Sequence, residues 1–252
     1  MTAASHHAVS QPPPRLSRRD ALFLDFDGTL VEIAATPERI EVAAGLSDLL
    51  QRVAAQVGGA LAVISGRPLG ELARFLAGYT GAAAGIHGLE WRSATGIVHR
   101  PAPDPALDLI RPVLRQFAAA TSGATVEDKG LAIAIHYRSR PELADPCRQI
   151  AEEAVRLSHN RLATLAGKMV VELRPQAANK GRAAQAFLIE PEFRGRRPIF
   201  VGDDRTDEEG FTAVNRLGGF AVHVGDGNSG ARYRLDGVAA VIRWLEDGLA
   251  AD

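Results

Sequence analysis

The sequence predicts an α/β protein: a doubly wound parallel sheet interrupted by a smaller inserted α+β unit. Three observations carry that prediction. Short apolar runs alternate along the chain with stretches of helical spacing. Several of those runs stop abruptly in polar clusters, as buried parallel strands do where they break into loops. The alternation lapses over residues 101–174 and then resumes, which reads as an insertion into one α/β core.

Residues 1–19 hold three consecutive prolines and almost no periodic apolar positions, and are expected to form a flexible tail, polyproline-like in its middle. The first strand is ALFLDF, breaking at Asp25-Phe26-Asp27-Gly28-Thr29. A helix is expected from about Glu38 to Gln56, where Ile40, Ala44, Leu46, Leu49, Leu50 and Val53 fall near helical spacing. Ala60 to Ile64 is a second strand, ending in Ser65-Gly66-Arg67-Pro68; the proline suits the first turn of a helix running to about Ala77. A third strand, Ala82 to Ile86, ends in His87-Gly88.

Beyond Val98, Pro101, Pro103 and Pro105 punctuate the chain. A helix follows to about Ala120, then strands Thr125–Asp128 and Leu131–Tyr137, a helix from about Pro141 to Ser158, and strands Arg161–Leu165 and Met169–Leu173. That α-β-β-α-β-β order with hairpin-length links is the inserted unit. After Arg174-Pro175 come a helix from Lys180 to Leu188, a strand Pro198–Val201 ending in Gly202-Asp203-Asp204, a helix Asp207–Leu217, a strand Phe220–Val224 and a helix Val238–Leu249. The expected organisation is a tail at 1–19, a core from 20–100 and 175–252, and an insert at 101–174.

Composition narrows the function classes. The chain has 252 residues, 29 Lys plus Arg against 30 Asp plus Glu, and a formal net charge of -1, so it lacks the footprint of a nucleic-acid or membrane-surface binder. No apolar run approaches the roughly 20 residues that span a bilayer. The single Cys147 forms no internal disulfide, and the N-terminus lacks the apolar core of a signal peptide, so a cytoplasmic location is expected.

In open α/β sheets ligands bind beyond the carboxyl ends of the strands. Those ends here carry Asp25/Asp27, Ser65/Arg67, His87 and Asp203/Asp204/Asp207, and Asn179-Lys180-Gly181 opens a helix. Singly, each has an ordinary explanation: an aspartate caps a helix, Ser-Gly-Arg forms a turn, a lysine is solvated. Jointly they describe a site. Asp25 and Asp27 lean to one side of an extended backbone, and crowded carboxylates repel unless a cation holds them. Oxygen-only ligands select a hard ion such as Mg2+. Mg2+, carboxylates, a lysine and a hydroxyl are the parts of phosphoryl transfer. No GxxxxGK[ST] loop is present. What remains is direct attack by a carboxylate to give an aspartyl-phosphate.

FLDFDGTL, SGR, NKG and GDDRTDE, in that order, resemble the four signature motifs of the haloacid-dehalogenase-like phosphohydrolases, and the insert lies where that superfamily carries its larger type of cap. GIHGLE at 85–90, EDKG at 127–130, HYR at 136–138 and GKMVVELRP at 167–175 resemble the trehalose-6-phosphate phosphatase family; the likeness runs from Asp20 to about Trp244. The resemblance implies that Asp25 is the nucleophile and Asp27 the acid/base. Mg2+ would be held by the Asp25 carboxylate, the Asp27 backbone carbonyl and Asp203, with Asp204 and Asp207 ordering its waters. Ser65 would donate to the phosphoryl group and Lys180 would supply a point charge. Glu127, Lys129, Arg138 and Glu172 would bind the sugar, with Arg67, His87 and Gly88 as further substrate contacts. Without the resemblance, the four cap residues read as cross-strand ion pairs on a solvated face, and His87 as a buried structural histidine or a hinge contact.

His136, Trp91 and Trp244 read as structural, Cys147 as an inert thiol, and Arg194, Arg196 and Arg197 as a solvated run. The implied activity is hydrolysis of trehalose 6-phosphate to trehalose and phosphate by a monomer, with a trehalose-6-phosphate synthase supplying the substrate. Rival readings are a phosphatase of sucrose 6-phosphate or mannosyl-phosphoglycerate, a phosphotransferase or mutase, and a non-catalytic sugar-phosphate sensor. The presence of Asp25 and Asp27 together with Lys180 and Asp203 argues against the sensor.

Overall fold

In a computed structural model that describes residues 11–34 and 39–249, the chain runs through β1 (Asp20–Leu24), α1 (Leu46–Gln56), β2 (Leu61–Ile64), α2 (Leu69–Phe75) and β3 (Ala82–Gly85). It turns back through β4 (Glu90–Arg92) and β5 (Val98–His99). It then crosses into α3 (Ala106–Ala120), β6 (Thr125–Asp128), β7 (Ile133–His136), α4 (Ala144–Leu157), β8 (Leu162–Gly167) and β9 (Val170–Pro175). The return passes through α5 (Lys180–Phe187), β10 (Arg197–Gly202), α6 (Glu208–Arg216), β11 (Phe220–Val224), β12 (Tyr233–Leu235) and α7 (Val238–Leu249).

Two sheets result. The larger has eight strands in the order β12-β11-β10-β1-β2-β3-β4-β5, parallel from β12 to β3 and antiparallel at β4 and β5. A parallel sheet covered on both faces needs apolar side chains on both, and every residue of β1, β2, β3 and β11 is buried. Phe23 stacks against Phe193, Phe187 and Phe200 with ring centroids 5.7, 6.3 and 6.4 Å away, tying β1 to β10 and to α5 and the segment after it. β1 and β10 are neighbours in register, which sets Asp25 beside Asp203 at the carboxyl edge.

The smaller sheet is antiparallel, in the order β6-β7-β9-β8. Its side chains alternate, as a half-covered sheet requires. Ile133, Ile135, Val171 and Leu173 pack under α3 and α4, while Glu127, His136 and Glu172 line a cavity on the opposite face. Ile86, at the end of β3, meets Leu131 and Ala132 of the smaller unit in a separate apolar cluster.

The structure differs from expectation in three places. The first helix starts at Leu46, after Gly45 in a left-handed conformation (φ 85), not at about Glu38; that residue lies outside the described ones. β4, β5 and β12 extend the main sheet at both edges where no strand was expected. The flexible tail expected through residue 19 is docked from Pro13. Leu16 packs against Gly248, and the Trp244 indole N–H donates to the Pro14 carbonyl at 2.9 Å, satisfying a donor that would otherwise be buried alone. Residues 1–10 of that stretch lie outside the described ones. No helix among the described residues is long and apolar enough to cross a membrane.

Candidate active site

The loops after β1 and β10 and the first turn of α5 bring four charged side chains together. Lys180 Nζ, buried, lies 2.6 Å from Asp25 Oδ1 and 2.7 Å from Asp207 Oδ1. Asp207 spends its other oxygen on the backbone N–H groups of Asp203 and Asp204, each at 3.0 Å. It therefore braces the Asp203 loop, while Asp204 caps the following turn by accepting the Arg205 N–H. Asp25, Asp203 and Asp207 each bring a carboxylate oxygen within 4.8 Å of the others. Gly28 (φ 83) makes the room: a Cβ there would lie 2.2 Å from Asp203 Oδ2.

Three carboxylates share this space with one buried lysine, and the electrostatics show it. Burial pushes the Asp25 carboxyl well above the ordinary range, and Asp207 and Asp203 add to the effect against the pull of Lys180. Burial also raises Asp203, opposed by Lys168. Burial works against the Lys180 charge, yet Asp207 and Asp25 hold it above an ordinary lysine. Asp203 Oδ1 is buried without a hydrogen-bond partner among the described residues. An all-oxygen donor set with one unpartnered oxygen fits a hard cation.

The turn after β2 faces this cluster. Ser65 Oγ accepts the Arg67 N–H at 3.1 Å, leaving its hydroxyl proton for another acceptor. Arg67 grips Asp27 bidentately, Nε to Oδ2 and Nη2 to Oδ1, both at 2.7 Å, and reaches Glu71 at 3.1 Å. The Asp27 side chain is thus turned to Arg67, away from the group formed by Asp25, Asp203 and Asp207.

From the smaller sheet, Lys129 Nζ donates to the Gly66 carbonyl at 2.9 Å and to Glu172 Oε2 at 2.8 Å. His87 Nε2, from the core, stands 3.3 Å from Glu172 Oε1. Burial opposes the Glu172 charge, but Lys129 and then His87 hold the carboxyl far below the usual carboxylate range. His87 is lowered by burial, with Glu172 partly offsetting. Glu127 accepts from His136 at 2.7 Å. These are ion pairs, as the residue types alone suggest, but they line a cavity wall facing the core, with Lys129 and Glu172 buried and Glu127 and His136 partly exposed. Arg138 bonds the carbonyls of Ala34 and Lys168 and does not join the Lys129–Glu172 group.

All these groups except Asp207, which lies behind the Asp203 loop, border one cavity of about 680 Å³. Gly88 does not: it packs against Ala183 of α5, outside the cavity, because the turn carrying His87 leans on that helix. One residue was not foreseen. Lys168, at the tip of the β8–β9 hairpin, places Nζ 2.5 Å from Asp203 Oδ2, reaching from the smaller sheet into that carboxylate cluster. Its only sequence signal is membership of the GKMVVELRP string, since a lone lysine between Gly167 and Met169 otherwise reads as a solvated turn residue.

A family profile described as Trehalose-phosphatase matches residues 23–239. The trehalose-6-phosphate phosphatase of Escherichia coli (strain K12) is 42% identical over 236 residues, covering 92% of this chain and 88% of its own. The probable trehalose-phosphate phosphatase of Sinorhizobium fredii is 42% identical over 205 residues, covering 81% of this chain and 77% of its own. Among solved structures, the C-terminal domain of C. albicans trehalose-6-phosphate phosphatase matches with a TM-score of 0.82 at 21% identity, over 93% of each chain, a likeness of fold.

Proposed function

The chain belongs to the trehalose-phosphatase family, and from that premise we propose that it is a Mg2+-dependent phosphatase converting trehalose 6-phosphate to trehalose and phosphate, as part of trehalose biosynthesis in the cytoplasm. The observation that carries the reading is the opposition, across one cavity, of a carboxylate cluster with its lysine and a polar sheet face able to bond sugar hydroxyls.

In this reading an Asp25 oxygen attacks phosphorus, a new P–O bond forms, and the bond from phosphorus to the sugar oxygen breaks. Asp27 delivers the proton to that leaving oxygen, then takes one from the water that attacks the aspartyl-phosphate, releasing phosphate and restoring Asp25. Asp27 must give up at least one of its bonds to Arg67 to do so. Ser65 and Lys180 bear on the phosphoryl oxygens, where charge collects. The Asp25 carboxylate, the Asp27 carbonyl and Asp203 would hold Mg2+, which supplies charge neutralisation when bound. Residues 101–174 act as a cap, with Glu127, Lys129, Arg138 and Glu172 recognising the disaccharide and closure over the bound substrate keeping bulk water out. Arg67 and His87, which line the same cavity, are further contacts. The site is complete within one chain, so a monomer suffices for this chemistry, and a synthase need only supply the substrate.

Phosphate release from trehalose 6-phosphate, sucrose 6-phosphate and mannosyl-phosphoglycerate, with Mg2+ and with EDTA, tests the reading. Trehalose 6-phosphate is expected to turn over fastest and EDTA to abolish release. Faster release from another sugar phosphate, or release indifferent to EDTA, would refute it.

A further inference from the structure

Glu90, in β4, is wholly buried, and the chemistry above gives it no task. Its Oε1 accepts the N–H of Leu69, the first residue of α2, at 2.7 Å, and its Oε2 accepts Arg100 Nε at 2.5 Å. Leu69 directly follows Ser65-Gly66-Arg67-Pro68. The carboxylate therefore fastens the far end of the turn that carries Ser65 and Arg67.

The same turn is fastened a second time, by backbone. The Ile86 N–H donates to the Arg67 carbonyl at 3.0 Å and the His87 N–H to the Ser65 carbonyl at 2.9 Å. To make these bonds Ile86 and His87 adopt φ of 48 and 55, which side-chain-bearing residues avoid, β-branched ones above all. Strain of this kind persists where the surroundings over-determine it, and it gathers at functional sites. The segment from Ile86 to Glu90 is thus an arch holding the Ser65 turn from both ends.

Arg100 gives the arch a connection outward. It is followed by Pro101-Ala102-Pro103, where the chain leaves the main sheet for the smaller one. On the return crossover Arg174, followed by Pro175, pairs with Glu209 of α6 at 3.2 Å. Each crossover is stapled to the core by an arginine–glutamate pair, but in the first the glutamate also bonds the base of the Ser65 turn.

We propose that Glu90 is a positioning residue for Ser65-Gly66-Arg67, acting through the Leu69 N–H, and that Arg100 couples this turn to the cap. Glu90 touches no reacting atom. It fixes where the Ser65 hydroxyl, the Gly66 carbonyl and the Arg67 guanidinium stand, and these meet the phosphoryl group, Lys129 and Asp27. The inference rests on the phosphatase reading above.

The test is steady-state kinetics of the full chain with Mg2+ on trehalose 6-phosphate and on p-nitrophenyl phosphate, with thermal melts of each variant. Glu90→Ala is expected to lower kcat about tenfold or more on both substrates, with KM within about twofold, because both need the same turn. Glu90→Gln combined with Arg100→Gln keeps an acceptor for the Leu69 N–H and discards both charges, and is expected to stay within about threefold of wild type in kcat on the aryl phosphate while sharing the loss of Arg100→Gln on trehalose 6-phosphate. Arg100 is 60% exposed, but Arg100→Gln leaves the buried Glu90 carboxylate without its countercharge and is expected to melt lower, so its two substrates are compared at a temperature where its melt shows it folded. It is expected to lower kcat/KM for trehalose 6-phosphate about threefold or more while the aryl phosphate, too small to need the cap, stays within about twofold. The proposal is overturned if Glu90→Ala is as fast as wild type, if the doubly neutral variant is as slow as Glu90→Ala, or if Arg100→Gln slows both substrates alike. If Glu90→Ala does not fold, the substrate ratio of Arg100→Gln decides. A wild type active on the aryl phosphate but not on trehalose 6-phosphate refutes the substrate reading instead, and leaves the Glu90 comparison readable on the aryl phosphate.

Discussion

Two polar clusters face each other across the cavity, and their charge balance is opposite in kind. On the core side, Asp25, Asp203 and Asp207 surround Lys180, one Asp203 oxygen has no partner, and burial with neighbouring carboxylates pushes Asp25 upward. On the other side, Lys129 meets Glu172 at 2.8 Å with His87 behind it, and Lys129 and His87 outweigh burial to hold Glu172 low. The first cluster is short of positive charge and would relax if a cation shared it. The second is balanced in charge, Lys129 against Glu172, though Glu172 Oε1 and His87 Nδ1 have no hydrogen-bond partner among the described residues. A sugar that takes the Lys129 bonds exchanges them instead of adding to them, so its net gain there is small while a wrong sugar leaves buried groups unpaired. The core cluster is suited to driving chemistry, the other to refusing substrates.

The largest expected effect breaks the core cluster. Asp25→Asn removes the attacking oxygen's charge and is expected to cut turnover at least about 10⁴-fold on every phosphate ester, measured as phosphate release. Its stability goes the other way. A neutral amide escapes the burial penalty and the repulsion from Asp207 and Asp203 that raise the Asp25 carboxyl, so the variant is expected to melt no lower than wild type. Residual turnover within tenfold of wild type would move the nucleophile elsewhere.

Next in size is the opposite cluster. Glu172→Ala strands Lys129, whose side chain is only 9% exposed, and is expected to cost about 3–5 kcal/mol of stability. The double change Glu172→Leu with Lys129→Met removes both charges and is expected to recover most of that loss. Both variants are expected to lose about 30- to 100-fold in kcat/KM on trehalose 6-phosphate, the value of two charged hydrogen bonds in part already spent on each other, and little on an aryl phosphate. Denaturant melts beside the two substrates check this. If recovered stability brought recovered sugar turnover, the pair would be a structural staple and the contrast between the clusters would fail.

The difference between the clusters also sets what the sequence could reveal. Asp25, Ser65, Lys180 and Asp203 sit at ends of strong apolar runs or at a helix start, so their position follows from local pattern and from the rule that sites lie at the carboxyl edge of a parallel sheet. β4 and β5, of three and two residues, are too short to show alternation, and with β4 the register Gly85–Glu90 was invisible. Glu90 therefore had no role of its own beyond membership of the GIHGLE string. Lys168 meets a partner 35 residues away only because the smaller sheet docks over the larger. The docking of Leu16 and Trp244 escaped notice for the same reason: proline-rich sequence shows what a segment does alone, not which helix it lies against.

The smallest expected effect concerns proton uptake at the seam. His87 is lowered by burial; Glu172 offsets part of this, and Lys180 and Arg174 add to the lowering. A base whose folded value lies below its unfolded one, about 6.5, stabilises the fold fully above that pH. The contribution is lost as pH falls from there through the folded value, because the unfolded chain binds the proton first. The slope from one such group cannot exceed about 1.4 kcal/mol per pH unit. Glu172, held low, loses its contribution only below its own unfolded value of about 4.3, so the two windows do not overlap. Melts of wild type and His87→Gln between pH 8 and pH 5 are expected to converge as pH falls below about 6.5, wild type losing the more. Curves that stay parallel would mean that His87 binds its proton alike in the folded and unfolded chain; curves in which wild type gains on the variant as pH falls would mean that His87 carries the proton beside Glu172. The second cluster would then hold two cations against one carboxylate, and would attract an anion much as the first attracts a cation.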